Sequence, residues 1–151
     1  MLIRPAKVGD ARRINSLIGT FAEQDRMLFR SLADIYEHLQ TFLVAEEDGQ
    51  VIGCCSLEVV WSDLAEIKSL AVSSSHQSRG IGRALVQAAL DQARQLGLKK
   101  VFALTMEPGF FLRLGFIQVP RESLPMKVWS DCARCPKQQN CDEVAVLKTP
   151  P

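Results

Sequence analysis

The sequence predicts an α/β (α+β) fold: a mixed central sheet of about six to seven strands, flanked by about four helices. Three observations predict it. Apolar runs at 42–46, 51–60 and 64–72 follow one another with short turns between them, which is a meander. The end of the third run, Leu70-Ala71-Val72, passes through a polar bend into Gly80-Ile81-Gly82 and a long helical pattern, and the apolar run Lys100–Thr105 comes next. Such a strand–helix–strand unit places its two strands parallel, joined by a right-handed crossover. The composition is that of a globular chain: 151 residues, 47% hydrophobic and 23% charged, can fill one sizeable core.

In order, Leu2 to Ala6 alternates weakly and suits an edge strand, where Pro5 is tolerated. Asp10 is a candidate N-cap for a helix with Ala11, Ile14, Leu17, Ile18 and Phe21 on one stripe. Ser31 with Asp34 resembles a capping box and opens a second helix through Tyr36 and Leu39. Asp48-Gly49 is a tight hairpin turn between the first two strands of the meander. The long helix runs from about Gly80 to Gln95, with Ile81, Leu85, Ala89, Ala93 and Leu96 as its buried stripe and Gly97 as its stop. Pro108 opens a short helix that Gly115 ends. Phe116–Val119 and Glu143–Leu147 are the last strands, and 1–151 reads as a single domain.

A net charge of +1 argues against a nucleic-acid binder. No apolar run is long enough to cross a bilayer, so no membrane association is expected. The first residues lack the apolar stretch and cleavage site of a signal peptide, which makes the cytoplasm the expected location. Five cysteines are too few for a disulfide scaffold.

The segment Gln77-Ser78-Arg79-Gly80-Ile81-Gly82-Arg83-Ala84 reads as an anion cradle. Gly80 and Gly82 let a ligand approach the backbone. The amides from Arg79 to Ala84 fall in a first helical turn, without intrahelical acceptors. The helix dipole adds positive potential, and Arg79 and Arg83 add formal charge. A pyrophosphate suits such a place. The segment is not a dinucleotide fingerprint, because Leu85 stands at the third glycine position and no acidic residue is well placed further on. Nor is it a Walker loop, which needs Gly-Lys-Ser/Thr.

Gln77-Ser78-Arg79-Gly80-Ile81-Gly82 matches the pattern Q/R-x-x-G-x-G/A, and with the element order the chain resembles the GNAT N-acetyltransferases. That resemblance implies acetyl-CoA as cosubstrate and no metal for catalysis. It implies that the amides of Arg79 to Ala84 hold the coenzyme A pyrophosphate, with Gln77 and Ser78 in the same loop. It also implies that the backbone of Leu70, Ala71 and Val72 pairs with the pantetheine arm, where the neighbouring parallel strands splay apart.

Longer segments narrow the resemblance. Phe21-Ala22, Arg30-Ser31-Leu32, Trp61-x-Asp63-Leu64-Ala65-Glu66-Ile67-Lys68-Ser69-Leu70, Phe110-Phe111-x-Arg113-Leu114-Gly115-Phe116, Leu124-Pro125-x-Lys127-Val128-Trp129, Asp131-Cys132-x-x-Cys135-Pro136 and Cys141-Asp142-Glu143 are similar to the short, single-domain N-acetylglutamate synthases. The implied reaction is acetyl transfer to the α-amine of L-glutamate, the first step of arginine biosynthesis, by a protein that the family suggests is a homodimer. Two alternatives stay open. One is a GNAT enzyme for another amine: another amino acid, a polyamine or a protein N-terminus. The other is a non-catalytic domain that senses coenzyme A.

Glu66 is the candidate catalytic base. An amine must lose a proton before it attacks a thioester, and burial beside apolar strands raises a carboxyl toward neutrality. Some histone-modifying members carry Ala-Glu-Ile at this place, with the glutamate as base. The plainer reading pairs Glu66 with Lys68, and both can hold together. Where family members often have a proton-donating tyrosine, this chain has Phe111, which with Phe110 reads as packing and as a pantetheine contact. Two acceptor carboxylates call for fixed cations. Arg30, Lys68 and Lys127 are the candidates, while Arg113 reads as a solvated surface charge. Cys132, Cys135 and Cys141 have metal-knuckle spacing but one ligand too few for tetrahedral zinc. Asp131, Asp142 or His76 are candidates for the fourth ligand, and a Cys-x-x-Cys redox pair is a second reading. Reduced thiols packed against the sheet are the first reading. Cys54 and Cys55 read as core residues.

Overall fold

Among the described residues, seven strands and four α-helices follow one another in the predicted order. The computed structural model describes residues 1–24, 26–124 and 143–151. The strands are β1 (Leu2–Pro5), β2 (Phe42–Glu47), β3 (Gln50–Trp61), β4 (Leu64–Val72), β5 (Lys100–Thr105), β6 (Ile117–Val119) and β7 (Val144–Lys148). The helices are α1 (Ala11–Glu23), α2 (Leu32–Glu37), α3 (Ile81–Gln95) and α4 (Pro108–Leu112). The sheet order is β1-β2-β3-β4-β5-β7-β6. Pro5 therefore lies on an edge strand, where its missing N–H breaks no ladder. β4 and β5 pair in parallel, as a crossover through α3 requires, while β7 enters antiparallel between β5 and β6. No helix among the described residues is long and apolar enough to cross a membrane.

Contacts divide the chain into two compact units, Met1–Glu58 with Ile67–Gln92, and Val59–Glu66 with Ala93–Pro151. In the first unit the predicted α1 stripe of Ala11, Ile14, Leu17, Ile18 and Phe21 is buried, and it packs with Ile35, Phe42, Val44, Cys54 and Ala71. The second unit has its own cluster of Leu64, Phe102, Leu124 and Ala145.

Gly53 sets how near α3 comes to β3. A Cβ there would lie 3.1 Å from Leu85 Cδ1, 3.3 Å from the Ala71 carbonyl and 3.3 Å from Ile81 Cγ2. Only glycine accepts the first turns of α3 at that range without displacing them.

Four local expectations need correction. Leu96 is exposed, and Leu98 is buried in its place. Gly97, at φ +82°, ends α3 with a Schellman motif: its N–H donates to the Arg94 carbonyl and the Leu98 N–H to the Ala93 carbonyl. The reversal turns Leu98, not Leu96, back toward the apolar side. Ser31 does cap α2 through the Asp34 N–H at 3.0 Å, but the Asp34 carboxylate bonds Arg30 instead of closing the box. α2 also stops at Glu37, short of Leu39, which begins a 3-10 turn.

Asp10 stands at the N-cap position of α1, yet its side chain makes no cap there. Its carboxylate accepts from Arg4 Nη1 at 2.8 Å, Arg4 Nη2 at 3.1 Å and the Lys7 N–H at 2.7 Å. The Arg4 hydrogen bonds hold the Asp10 carboxyl below the usual carboxylate range. The folded-state value is lowered, so the stabilisation is present above the ordinary carboxylate pKa and is lost as the pH falls through the folded value. Asp10→Asn is therefore expected to cost about 1 kcal/mol at neutral pH. In urea unfolding, the gap between variant and parent should close below about pH 4.

Candidate active site

The cradle is built by backbone geometry. Ser78 (φ +65°) and Gly80 (φ +80°) flank Arg79 in the left-handed region, and the chain then enters α3. A Cβ on Gly80 would meet nothing within 4 Å, so the turn is open on that side. The Ala84 N–H donates to the Gly80 carbonyl at 3.0 Å, which makes Gly80 the first acceptor of the helix. This corrects one detail: the Ala84 amide is already bonded, and the orphan donors of the first turn are those of Gly80, Ile81, Gly82 and Arg83. Arg83 is exposed, and Ile81 is buried beneath the turn. The Gln77 side-chain amide donates to the Val72 carbonyl at 3.2 Å, fastening the loop to the end of β4. Arg79 does not contribute free charge. Its guanidinium makes a two-pronged pair with Glu47, at 3.0 Å and 2.8 Å. An open turn with orphan amides at a helix N-terminus fits a pyrophosphate.

β4 carries the next features. Its parallel ladder with β5 runs Leu64↔Lys100, Ala65↔Val101 and Glu66↔Phe102. Leu70, Ala71 and Val72 continue β4 past that ladder, with Ala71 buried and its neighbours half-buried. Glu66 is 8% exposed, in the company of the buried Ala65 and Ile67. Carboxylates are seldom buried this far without a partner or a task. Ser69 sits at φ +57°, inside the strand, where a non-glycine residue costs about 1–2 kcal/mol. Two contacts hold it there: the Cys54 thiol to its carbonyl at 3.5 Å and Arg30 Nη1 to its hydroxyl at 3.3 Å.

Arg30 is the centre of a charged cluster in the first unit. Only 6% of its side chain is exposed. Nε donates to Asp34 Oδ2 at 2.6 Å, and Nη1 to Glu58 Oε2 at 3.1 Å. The guanidinium also lies 5.0 Å from the centre of the Phe42 ring, at cation–π range. Lys68 Nζ approaches the same Glu58 Oε2 at 3.8 Å, and the Ser56 hydroxyl donates to it at 3.0 Å. Two predicted cations thus meet on one carboxylate. In the sequence Asp34 reads only as a capping residue, and Glu58 is not singled out. Asp34 had a signal, four residues after Arg30 on the way into a helix. Glu58 had a weaker one, alternating with Ser56 in an otherwise apolar strand.

Phe111 is 5% exposed and packs edge-on between Phe110 and Phe116, each ring centroid 5.1 Å away. The position offers no proton. Arg113 is exposed, in keeping with a surface charge. Cys54 and Cys55 are fully buried core residues of β3. Burial pushes the Cys54 thiol up to about 12 and the Cys55 thiol higher still, so neither is a ready nucleophile. Lys127 and the cluster Cys132, Cys135 and Cys141 lie outside the described residues.

Comparison with known proteins gives the family. The profile of the acetyltransferase (GNAT) family matches residues 10–116. A Chlorobaculum tepidum protein, described as an uncharacterized N-acetyltransferase, is 43% identical over 147 residues, or 97% of this chain and 95% of its own. An amino-acid acetyltransferase of Mycobacterium tuberculosis is 38% identical over 136 residues, covering 88% of this chain and 78% of its own. The solved N-acetylglutamate synthase of Neisseria gonorrhoeae, complexed with coenzyme A and N-acetyl-glutamate, superposes with a TM-score of 0.90 at 30% identity, over 99% of this chain and 35% of that one. The chain belongs to the GNAT acetyltransferase family and is an acyltransferase that takes its acetyl group from acetyl-CoA.

Proposed function

We propose that the acceptor is the α-amine of L-glutamate, which makes the reaction that of an N-acetylglutamate synthase, at the start of arginine biosynthesis. One observation carries the proposal. Arg30 and Lys68 reach the same oxygen of Glu58, at 3.1 Å and 3.8 Å, and Arg30 is also committed to Asp34, so an acceptor carboxylate would take the place of the Glu58 carboxylate on these two cations. An amino-acid carboxylate offers the same geometry and charge. The relatives named amino-acid acetyltransferase and N-acetylglutamate synthase support the same reading.

Acetyl-CoA supplies an activated acyl group, as a thioester. The residues of the chain do the rest. The amides of Gly80, Ile81, Gly82 and Arg83, with that of Arg79, receive the pyrophosphate. The backbone of Leu70, Ala71 and Val72 pairs with the pantetheine arm as an added strand would, and an amide of β4 polarises the thioester carbonyl. Glu66 accepts the proton that the amine gives up, directly or through a water. The new C–N bond replaces the C–S bond, and coenzyme A leaves as the thiol after taking up one proton. Arg30 and Lys68 hold an acceptor carboxylate.

Purified protein, acetyl-CoA and a panel of amines provide the test, with thiol release as the readout. Release with glutamate and little with a polyamine or a peptide N-terminus is the expected result. Release only with a polyamine or peptide rejects the amino-acid acceptor. Tight coenzyme binding with no release from any amine would favour the sensing role.

A further inference from the structure

We propose that Glu47 is a positioning residue for the loop at the start of α3: it holds Arg79 by a two-pronged ion pair and so fixes the backbone that receives the coenzyme A pyrophosphate. The inference rests on the reading of that loop as the pyrophosphate site.

Glu47 stands at a tight hairpin turn. It is the last residue of β2 and pairs with Gln50 across a two-residue turn, in which Asp48 (φ +52°) and Gly49 (φ +76°) are both left-handed. A turn of that kind follows the twist of its strands and leaves the flanking residues little freedom. The carboxylate reaches out of the hairpin and meets Arg79 oxygen for nitrogen, Oε2 to Nη1 at 3.0 Å and Oε1 to Nη2 at 2.8 Å. His76 Nε2 lies 3.9 Å from Oε2, so a second residue of the same loop faces the same group. The Arg79 guanidinium holds the Glu47 carboxyl below the usual carboxylate range.

The loop needs an anchor. Ser78 is a non-glycine residue at φ +65°, and Gly80 follows Arg79 at φ +80°. Neither conformation is held by a strand or a helix, and the Ser78 angle is costly in itself. A fork-on-fork arginine–carboxylate pair fixes direction as well as distance. It also neutralises the Arg79 side chain. Arg79 thus serves the cradle through its backbone, and the pull on an anion comes from amides and helix dipole. A pair this exposed adds little to global stability, so its effect belongs in coenzyme binding.

The experiment compares coenzyme A with pantetheine, which has the same arm but no pyrophosphate. Affinities are measured by calorimetry for coenzyme A and by NMR titration for pantetheine, on the parent, Glu47→Ala, Glu47→Gln and Gly80→Ala. Thermal midpoints are taken alongside. Glu47→Ala is expected to weaken coenzyme A about tenfold, equal to about 1.4 kcal/mol, and to leave pantetheine and the thermal midpoint unchanged. Glu47→Gln, which keeps one acceptor, should recover part of the loss. Equal weakening of both ligands, or a large fall in midpoint, would make Glu47 merely structural and overturn the inference. Tighter coenzyme A binding would also overturn it, since the pair would then be competing with the ligand for Arg79. Gly80→Ala separates the two levels. If it weakens coenzyme A and Glu47→Ala does not, the anchor is wrong and the loop right. If neither variant matters, the loop is not the pyrophosphate site.

Discussion

Replacing Glu66 with glutamine is expected to lower kcat about 100- to 10,000-fold, the range for loss of a positioned general base. The side chain is nearly isosteric, so the fold and the coenzyme affinity should hold. What disappears is the group that takes the proton. A base works in its deprotonated form, so the parent rate should climb with pH through the pKa of that base and then level off. The variant should show no such climb over the same span. The placement of Glu66 argues for the effect: it is buried at the last rung of the parallel ladder, opposite Phe102, where bulk water does not easily replace it. An undiminished rate in the variant across the whole pH range would remove Glu66 from the mechanism.

The second large effect is expected at Arg30. Replacing it with methionine leaves Asp34 and Glu58 without the guanidinium that both of them bind. Breaking a buried ion pair from one side costs about 3–5 kcal/mol. Glu58 keeps Lys68 and Ser56, and both carboxylates reach some water, so the low end, about 3 kcal/mol, is the expected loss in urea unfolding. Substrate recognition should fail for a separate reason, with the acceptor KM rising at least about tenfold, equal to about 1.4 kcal/mol. The double variant Arg30→Met with Glu58→Gln separates the two effects. Removing the stranded charge should restore much of the stability, but the acceptor KM should stay high. Recovery of KM together with stability would show that Arg30 only supports the fold.

Local signals in the sequence went far toward the fold. Asp48-Gly49 specified a hairpin because both residues tolerate positive φ, and the structure uses them so. The α1 stripe was readable as periodicity, and Gly97 as a stop. The readings that failed each turned on where one side chain goes. Leu96 and Leu98 are equally apolar, and only the reversal at Gly97 decides which is buried. Asp10 had the chemistry of a cap, but Arg4 offered its carboxylate a stronger, charged partner. The entry of β7 between β5 and β6 carries no local mark, since a strand's neighbour is chosen by the finished sheet.

The site divides in the same way. The cradle was legible because its glycines and its helix start are contiguous in the chain. The state of its charges was not, because Glu47 is 32 residues from Arg79. The spacing of Arg30, Glu58 and Lys68 is likewise a product of α2, β3 and β4 meeting, and Glu58 on its own resembles any polar residue of a strand. The exchange of tyrosine for Phe111 was visible at once, and the buried aromatic cluster shows what the position does instead.

The central claim is acetyl transfer to the α-amine of glutamate. Its most direct test is NMR of a reaction that contains the protein, glutamate and acetyl-CoA labelled with carbon-13 in the acetyl group. The expected result is a new amide at the α-nitrogen of glutamate, formed in step with free thiol. No amide on glutamate, while a polyamine or a peptide in the same tube is acetylated, would contradict the claim.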